Sequence, residues 1–244
     1  MKYKTIKFKV SGDLATLTLD DGDKNLVTPL MIKEINKALD QVEEGQWTLL
    51  ILGREGIFSA GFDLKVLKDG NLDTLKMLFG AFELITRLYG LSRPVVIGST
   101  GHAIAMGAFI LLCGDYRIGA EGKFKYLVNE VANSLNMPYT AIEICKERLH
   151  PTFWSRVLLL SETFNTKQAL AAGFLDETAK DSDLESRAIE KAIELSKLPS
   201  QAFSESKRRK RLPAIRSLKK ANALDKGSFI SLGLRQAIGK VRRS

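Results

Sequence analysis

The pattern of apolar and polar positions at the start of the chain predicts a β-hairpin, a helix and a buried strand. Residues 2–10 and 14–19 alternate in character, and Gly12 lies between them at the turn. Thr28 stands directly before a proline, which is typical of a helix start because the threonine side chain can cap the first turn. Residues 47–52 form a short, largely apolar run that is typical of a buried strand. Strand, helix and strand in this order predict an α/β unit with a parallel sheet.

A stretch without charged side chains separates Arg93 from Asp115. Its pattern predicts a short strand at residues 94–99, a turn at Gly101 and His102, and a helix at residues 105–112. Small residues at the start of such a helix leave backbone N–H groups accessible, and these favour an anion or a developing oxyanion. A membrane span and a purely structural strand and helix are the alternatives, although proline, glycine and polar residues interrupt the run.

The remaining chain predicts further strands and then helices only. Strands are expected at residues 116–119 and 124–128, a short helix is expected to begin at Asp63, and longer helices are expected at residues 72–89, 139–149, 154–160, 166–172 and 184–197. The rest of the chain has a helical and basic pattern. We therefore expect two regions, an α/β core at residues 1–153 and a helical, basic region at residues 154–244.

Composition agrees with a folded protein that has a large core. The chain has 244 residues, of which 45% are hydrophobic and 27% are charged. Cys113 and Cys145 lie among apolar residues and are expected to be reduced core residues. Two histidines exclude a histidine-rich metal centre, and we expect no metal site. The start of the chain lacks the apolar core of a signal peptide, so a cytoplasmic location without a membrane anchor is expected.

The positive charge is concentrated at the end of the chain. Thirteen basic and two acidic residues follow position 200, which gives this segment a net charge of +11 in a chain whose total is +9. Such a segment suits a phosphorylated ligand, a nucleic acid or simply solubility. No RNA-recognition motif with interleaved aromatic residues accompanies it, so nucleic acid is not the expected partner.

Five short motifs resemble those of the crotonase superfamily, the enoyl-CoA hydratases and isomerases. In chain order they are F-S-A-G-F-D-L at residues 58–64, G-H-A-I-A-M-G-A at residues 101–108, C-G-D-Y-R-I at residues 113–118, N-E-V at residues 129–131 and A-A-G-F-L-D at residues 171–176. Each motif alone is weak, but all five occur in the family's order and spacing. The resemblance implies an α/β fold, a ββα superhelix core with a helical C-terminal region that forms trimers.

The same resemblance implies which residues hold an acyl-CoA substrate. Backbone N–H groups of Phe62 and Met106 would form the oxyanion hole for the thioester oxygen. Many relatives have glycine in place of Met106, which leaves the N–H group but changes the acyl pocket. Further substrate contacts are expected from Ala60, Asp63, Leu64 and Phe109. Coenzyme A enters as part of the substrate, with no separate cofactor, and its phosphates are expected near Lys207, Arg208, Arg209, Lys210 and Arg211.

Glu130 is the expected catalytic base. It matches the glutamate of the Asn-Glu motif in Δ3,Δ2-enoyl-CoA isomerases, whereas Phe109 stands where many hydratases carry a second glutamate. One carboxylate among apolar residues, with a pKa raised by burial, suits proton transfer from C2 to C4. Glu130 could instead be an ordinary surface glutamate.

Several readings of the function stay open at this point. A Δ3,Δ2-enoyl-CoA isomerase is the first, and an enoyl-CoA hydratase or another crotonase chemistry is the second. A non-catalytic, basic RNA-binding or scaffold protein on the same fold is the alternative of a different class. For the enzyme we expect a homotrimer or hexamer and no membrane partner.

Overall fold

The computed structural model describes residues 3–241, with side chains described as far as residue 230. Residues 1–2 and 242–244, which begin the predicted first strand and end the predicted basic region, lie outside the described residues. The strands of the described part are β1 (Ile6–Ser11), β2 (Leu14–Leu19), β3 (Thr48–Leu52), β4 (Gly56–Ser59), β5 (Val95–Ser99), β6 (Gly101–Ile104), β7 (Tyr116–Ala120), β8 (Tyr126–Leu127) and β9 (Glu177–Ala179). Its helices are α1 (Pro29–Gly45), α2 (Leu64–Asp69), α3 (Leu72–Gly90), α4 (Met106–Leu112), α5 (Tyr139–Arg148), α6 (Trp154–Leu158), α7 (Thr166–Ala172), α8 (Leu184–Ser196) and α9 (Ser200–Val241).

The strands form two sheets through a repeated ββα connection. The larger sheet has the order β1-β2-β3-β5-β7-β9, and the smaller has the order β4-β6-β8. β1 and β2 pair antiparallel as the predicted hairpin, and every other pairing is parallel. The pairs β3–β4, β5–β6 and β7–β8 each give one strand to each sheet before the chain turns into helix. The predicted α/β fold with a ββα core and C-terminal helices is confirmed.

Both faces of the larger sheet are covered. All five residues of β3 are buried. Leu49 and Ile51 belong to the main core, while Leu50 and Leu52 face a second apolar cluster that includes Ala188 of α8. A strand with two buried faces reads as a continuous apolar run, which is why residues 47–52 were recognisable in the sequence.

Two local signals for helix starts are also confirmed. The side chain of Thr28 accepts a hydrogen bond from the Met31 N–H at 3.1 Å, directly before α1. The Asp63 carboxylate accepts a hydrogen bond from the Lys65 N–H at 2.8 Å, directly before α2. Both side chains satisfy N–H groups that a first helical turn leaves without a partner.

The turn predicted at Gly101 and His102 was wrong, because both residues lie in β6. Gly101 is opposite Gly56 of β4 in a parallel pairing. A Cβ atom placed on Gly101 would lie 2.0 Å from the Gly56 carbonyl carbon. The glycine is thus required by the close approach of two strands, which a single sequence does not distinguish from a turn.

The expectation of helices alone beyond residue 154 was also wrong. β9 is parallel to β7 and completes the larger sheet, and α8 packs on the face of that sheet. β9 has only three residues, too few for an alternating pattern. The predicted division between residues 153 and 154 therefore separates β9 from the sheet that it completes and α8 from the sheet face that it covers.

The uncharged stretch at residues 94–114 folds as β5, β6 and α4 inside the protein. All seven residues of α4 are buried. No helix in the described part of the chain combines the length and the apolar character needed to cross a bilayer.

Candidate active site

Three predicted site residues follow the carboxyl ends of the three strands of the smaller sheet. β4 leads to Phe62, β6 leads to Met106 and β8 leads to Glu130. Because the strands are parallel, their carboxyl ends lie at one edge, where α/β proteins commonly bind ligands. Adjacent strands are about 4.8 Å apart, so β4 and β8 bring their loops to within roughly 10 Å of each other on either side of β6. The fold therefore brings together residues that lie far apart in the sequence.

The loop before Phe62 packs directly against the start of α4. Gly61 has φ of 86°, and a Cβ atom placed on it would lie 2.9 Å from the Ile104 carbonyl oxygen and 3.3 Å from the Met106 nitrogen. A Cβ atom on Gly107 would lie 2.5 Å from the Ser59 carbonyl oxygen. These contacts require glycine at both positions and hold the two loops side by side.

The N–H groups of Phe62 and Met106 have no acceptor among the hydrogen bonds described for residues 3–230. The Ala105 carbonyl accepts from Ala108 and Phe109, so the helical hydrogen bonds begin after Met106. Ala105 itself has φ of 49° and ψ of −120°, a conformation that costs about 1–3 kcal/mol for a residue other than glycine. Two N–H groups without an acceptor, on loops that pack against each other, can serve as the donors of an oxyanion hole.

A polar pair that the sequence alone did not single out supports this loop. The Ser59 hydroxyl donates to the Asn25 carbonyl oxygen at 2.7 Å and accepts from the Gly61 N–H at 3.2 Å. The Asn25 side chain in turn donates to the Phe58 carbonyl oxygen at 3.0 Å. Ser59 lies within the F-S-A-G-F-D-L motif, whereas the contact of Asn25 with this loop has no signal in the sequence because Phe58 and Ser59 lie more than thirty residues further along the chain.

Glu130 is a buried carboxyl group, not a surface glutamate. It is 7% exposed, and its Oε2 atom has no hydrogen-bond partner. Burial raises the pKa of Glu130 to about 7, against the opposing effect of the backbone amides of Glu130 and Asn129. The Glu130 carbonyl oxygen accepts from the N–H groups of Asn133 and Leu135, which closes the turn that carries the side chain. A carboxyl group that titrates near neutral pH suits general base and general acid steps.

The raised pKa of Glu130 predicts a pH-dependent stability effect of Glu130→Gln. Below about pH 4.5 the carboxyl is protonated in both folded and unfolded states, so the substitution should change stability little. As pH rises through about 7, the free energy of unfolding of the wild type falls by up to about 3 kcal/mol because a buried carboxylate forms. The Glu130→Gln variant carries an uncharged amide and does not show this fall. The variant should thus be the more stable protein at about pH 8, which denaturant unfolding at both pH values would measure. If the free energy of unfolding differed between wild type and variant by the same amount at both pH values, the raised pKa would be contradicted.

The predicted substrate contacts occupy different environments. Phe109 is fully buried in the main core, at the position where many hydratases carry a carboxylate. The Ala60 N–H donates to the Lys24 carbonyl oxygen, and Asp63 caps α2. Leu64 is 61% exposed at the start of α2, two residues after Phe62. Of these four residues, Ala60, Leu64 and Phe109 have apolar side chains and are the better candidates to contact an acyl chain, whereas the Asp63 carboxylate is engaged as a helix cap.

Two of the predicted phosphate ligands are buried in an ionic network inside this chain. Asp115 accepts from Lys207 at 2.6 Å and from Arg211 at 2.7 Å. Arg211 also lies 3.9 Å over the ring of Tyr89. Burial lowers the pKa of Lys207 to about 8, although the carboxylate of Asp115 opposes that shift. The expectation that Lys207 and Arg211 reach phosphate groups does not agree with this burial, because their charges are already paired and shielded from solvent.

The other three predicted phosphate ligands are exposed. Arg208 and Arg209 pair with Glu205 on the same helix, and Lys210 pairs with Glu147 of α5. Their side chains are 59%, 79% and 61% exposed, in chain order. Surface ion pairs of this kind contribute little to stability, so these cations can leave their carboxylate partners and bind a phosphate group instead.

Comparison with known proteins assigns this chain to a family. A family model described as enoyl-CoA hydratase/isomerase matches residues 9–240. The peroxisomal enoyl-CoA delta isomerase 2 of Arabidopsis thaliana is 28% identical over 182 residues, which cover 70% of this chain and 76% of the relative. A crystal structure of an enoyl-CoA isomerase of Mycobacterium tuberculosis is 38% identical, with a TM-score of 0.86, and the match covers 90% of this chain and 96% of that one.

The names given to similar proteins include two reactions. A second structure of the same Mycobacterium tuberculosis protein is named a probable enoyl-CoA hydratase; it is 37% identical with a TM-score of 0.89, and the match covers 96% of this chain and 98% of that one. That one protein thus carries both an isomerase name and a hydratase name, and similarity to it fits either reaction. The resemblance to the crotonase superfamily is confirmed, and this chain belongs to the enoyl-CoA hydratase/isomerase family of enzymes.

Proposed function

We propose that this protein is a Δ3,Δ2-enoyl-CoA isomerase that uses Glu130 as its single acid–base group. The observation that carries the proposal concerns the loops after β4, β6 and β8. Within residues 60–63, 105–109 and 128–130 the ionisable side chains are Asp63 and Glu130. Asp63 is engaged as the cap of α2. Glu130 has a buried, unpartnered oxygen and a pKa of about 7.

One carboxylate is sufficient for the isomerisation. The Glu130 carboxylate takes a proton from C2 of a 3-enoyl thioester, and the electron pair of that C–H bond moves into a dienolate. The N–H groups of Phe62 and Met106 hold the negative oxygen of this intermediate. The same carboxylic acid then returns the proton to C4, which leaves the conjugated 2-enoyl thioester and restores the carboxylate.

Hydration makes a further demand on the site. Water addition to a 2-enoyl thioester needs a group that activates and orients the water, in addition to a group that protonates C2. Phe109 offers no acid or base where many hydratases have their second glutamate, and it is fully buried. This supports isomerase over hydratase.

Product identification tests the proposal. The purified protein is incubated with matched 3-enoyl-CoA and 2-enoyl-CoA substrates of several chain lengths, and products are followed by mass spectrometry and NMR. We expect the 3-enoyl substrates to be converted without a change in mass, and the 2-enoyl substrates to gain little water. Efficient hydration of crotonyl-CoA would favour the hydratase. Absence of any turnover and of CoA-ester binding would favour the non-catalytic alternative.

The proposed substrate sets two further expectations. Coenzyme A carries phosphate groups, and the exposed side chains of Arg208, Arg209 and Lys210 are the remaining candidates to pair with them. Assembly into trimers or pairs of trimers stays a prediction, and sedimentation at micromolar concentration would decide it.

A further inference from the structure

One face of α9 contacts both α3 and α5, the two helices that lie next to the two parts of the candidate active site. Asn222, Asp225 and Phe229 are spaced three and four residues apart, so they lie on one side of the helix. Asn222 and Asp225 are buried, with exposures of 8% and 2%. We call these three residues the α9 clasp. Because the three residues belong to one continuous helix, the groups that they contact on other helices are held at a fixed spacing.

On the oxyanion side, the clasp acts through aromatic rings. The ring of Phe229 stacks on that of Phe82 of α3, with centroids 5.8 Å apart and an interplanar angle of 21°. Phe82 meets the ring of Phe62 edge to face, at 6.1 Å and 69°. Such ring pairs contribute about 0.5–1.5 kcal/mol each beyond the area they bury. A continuous series of ring contacts therefore joins α9 to the residue that carries the first oxyanion donor.

On the side of the base, the clasp acts through a helix cap. The Asp225 carboxylate accepts from the N–H groups of Tyr139 and Thr140, each at 2.8 Å. α5 has no capping side chain of its own, so Asp225 replaces one from a distant part of the chain. The turn closed between Glu130 and Leu135 leads directly into this end of α5. Asp225 thus holds the helix that follows the catalytic glutamate.

Asn222 joins the two sides through a single amide group. Its Nδ2 atom donates to the Phe82 carbonyl oxygen at 3.2 Å and to the Thr86 hydroxyl at 2.7 Å, both on α3. Its Oδ1 atom accepts from the Thr140 hydroxyl at 2.9 Å on α5. Both ends of the amide are satisfied, which fixes the register of the three helices.

We propose that the α9 clasp sets the distance between the oxyanion donors and the carboxylate of Glu130, with Asp225 and Phe229 as positioning residues. This inference rests on the proposed function, because it requires a thioester held at the donors and a base at Glu130. A base and a donor pair on separate loops must keep their spacing while the proton moves. A shift of about 1 Å in such geometry can cost roughly 10²-fold in rate.

Alanine variants of the full chain test the clasp. Phe229→Ala removes the ring that stacks on Phe82, which in turn contacts Phe62. Asp225→Ala removes the carboxylate that caps the start of α5. We expect each to lower kcat by roughly 10- to 100-fold, with little change in KM, because the substrate contacts themselves remain. Phe229→Tyr keeps the ring and should restore kcat.

The matched control is Phe203→Ala. Phe203 is another half-buried phenylalanine of α9, but its ring lies near Lys207, away from the clasp. This control should lose some thermal stability and keep its kcat. If Phe229→Ala and Asp225→Ala lose stability but keep wild-type kcat, or if Phe203→Ala loses kcat equally, the clasp only stabilises the fold and the proposal is wrong.

The assay separates this inference from the proposed function. It uses whichever acyl-CoA the wild type converts. If the proposed reaction is wrong, the product formed by the wild type shows it; if the clasp does not position the site, only the kinetics of the variants show it. If the alanine variants do not fold, Phe229→Leu and Asp225→Asn take their place. A wild-type kcat in both of these folded variants would overturn the clasp, and a lowered kcat with unchanged KM would support it.

Discussion

Glu130→Gln is expected to lower the turnover of a 3-enoyl-CoA by roughly 10²–10⁴-fold, the usual contribution of a general base. The amide is nearly the same size as the carboxyl group but does not accept a proton from C2. The Phe62 and Met106 N–H groups are untouched, so binding of the acyl-CoA should persist. The appearance of the conjugated 2-enoyl thioester, followed by its ultraviolet absorbance, gives kcat, and calorimetry with a non-reactive CoA thioester gives Kd.

The control for this substitution is Glu121→Gln. Glu121 lies on the surface near Thr178, outside the loops that form the site, and the change is chemically the same. It should leave kcat and Kd at their wild-type values. Wild-type turnover in Glu130→Gln would remove Glu130 from the mechanism. A loss of binding as large as the loss of turnover would show that Glu130 mainly holds the substrate.

Local signals in the sequence were sufficient for much of the fold. The cap at Thr28 and the continuous apolar run of β3 depend on neighbouring residues, and each was recognisable for that reason. The candidate oxyanion residues Phe62 and Met106 and the candidate base Glu130 were recognised through motifs, because each lies in a short segment of fixed spacing. The fold then explains the spacing, since each segment follows one strand of the same parallel sheet.

Other features depended on contacts between distant residues. β4 and β6 are each four residues long, too short to show a period, and they are strands because they pair with each other. The two buried cations of the basic segment, Lys207 and Arg211, looked like their exposed neighbours in the sequence. What distinguishes them is Asp115, which lies about ninety residues earlier and pairs with both. Clustered charge therefore indicated a basic helix but not which of its charges face solvent.

Gly107→Ala is expected to impair the oxyanion hole while leaving Glu130 intact. The added methyl group would lie 2.5 Å from the Ser59 carbonyl oxygen, so the loop that carries Phe62 must move away from α4. Loss of one oxyanion donor typically lowers the rate by roughly 10²–10³-fold, and we expect kcat to fall within this range. Overpacking should also lower the free energy of unfolding by about 1–3 kcal/mol. Steady-state kinetics below the melting temperature and denaturant unfolding measure the two effects.

The matched control for the added methyl group is Gly90→Ala. A Cβ atom at Gly90 would have its nearest neighbour at 3.5 Å, the end of the Ile215 side chain, which is an ordinary contact. Turnover should therefore stay at the wild-type value in this variant. The pH dependence of kcat separates the two parts of the site, because Gly107→Ala lowers the rate at every pH without moving the titration of Glu130. A Gly107→Ala protein that folds and turns over normally would show that the contact between Ser59 and α4 does not hold the donors in place.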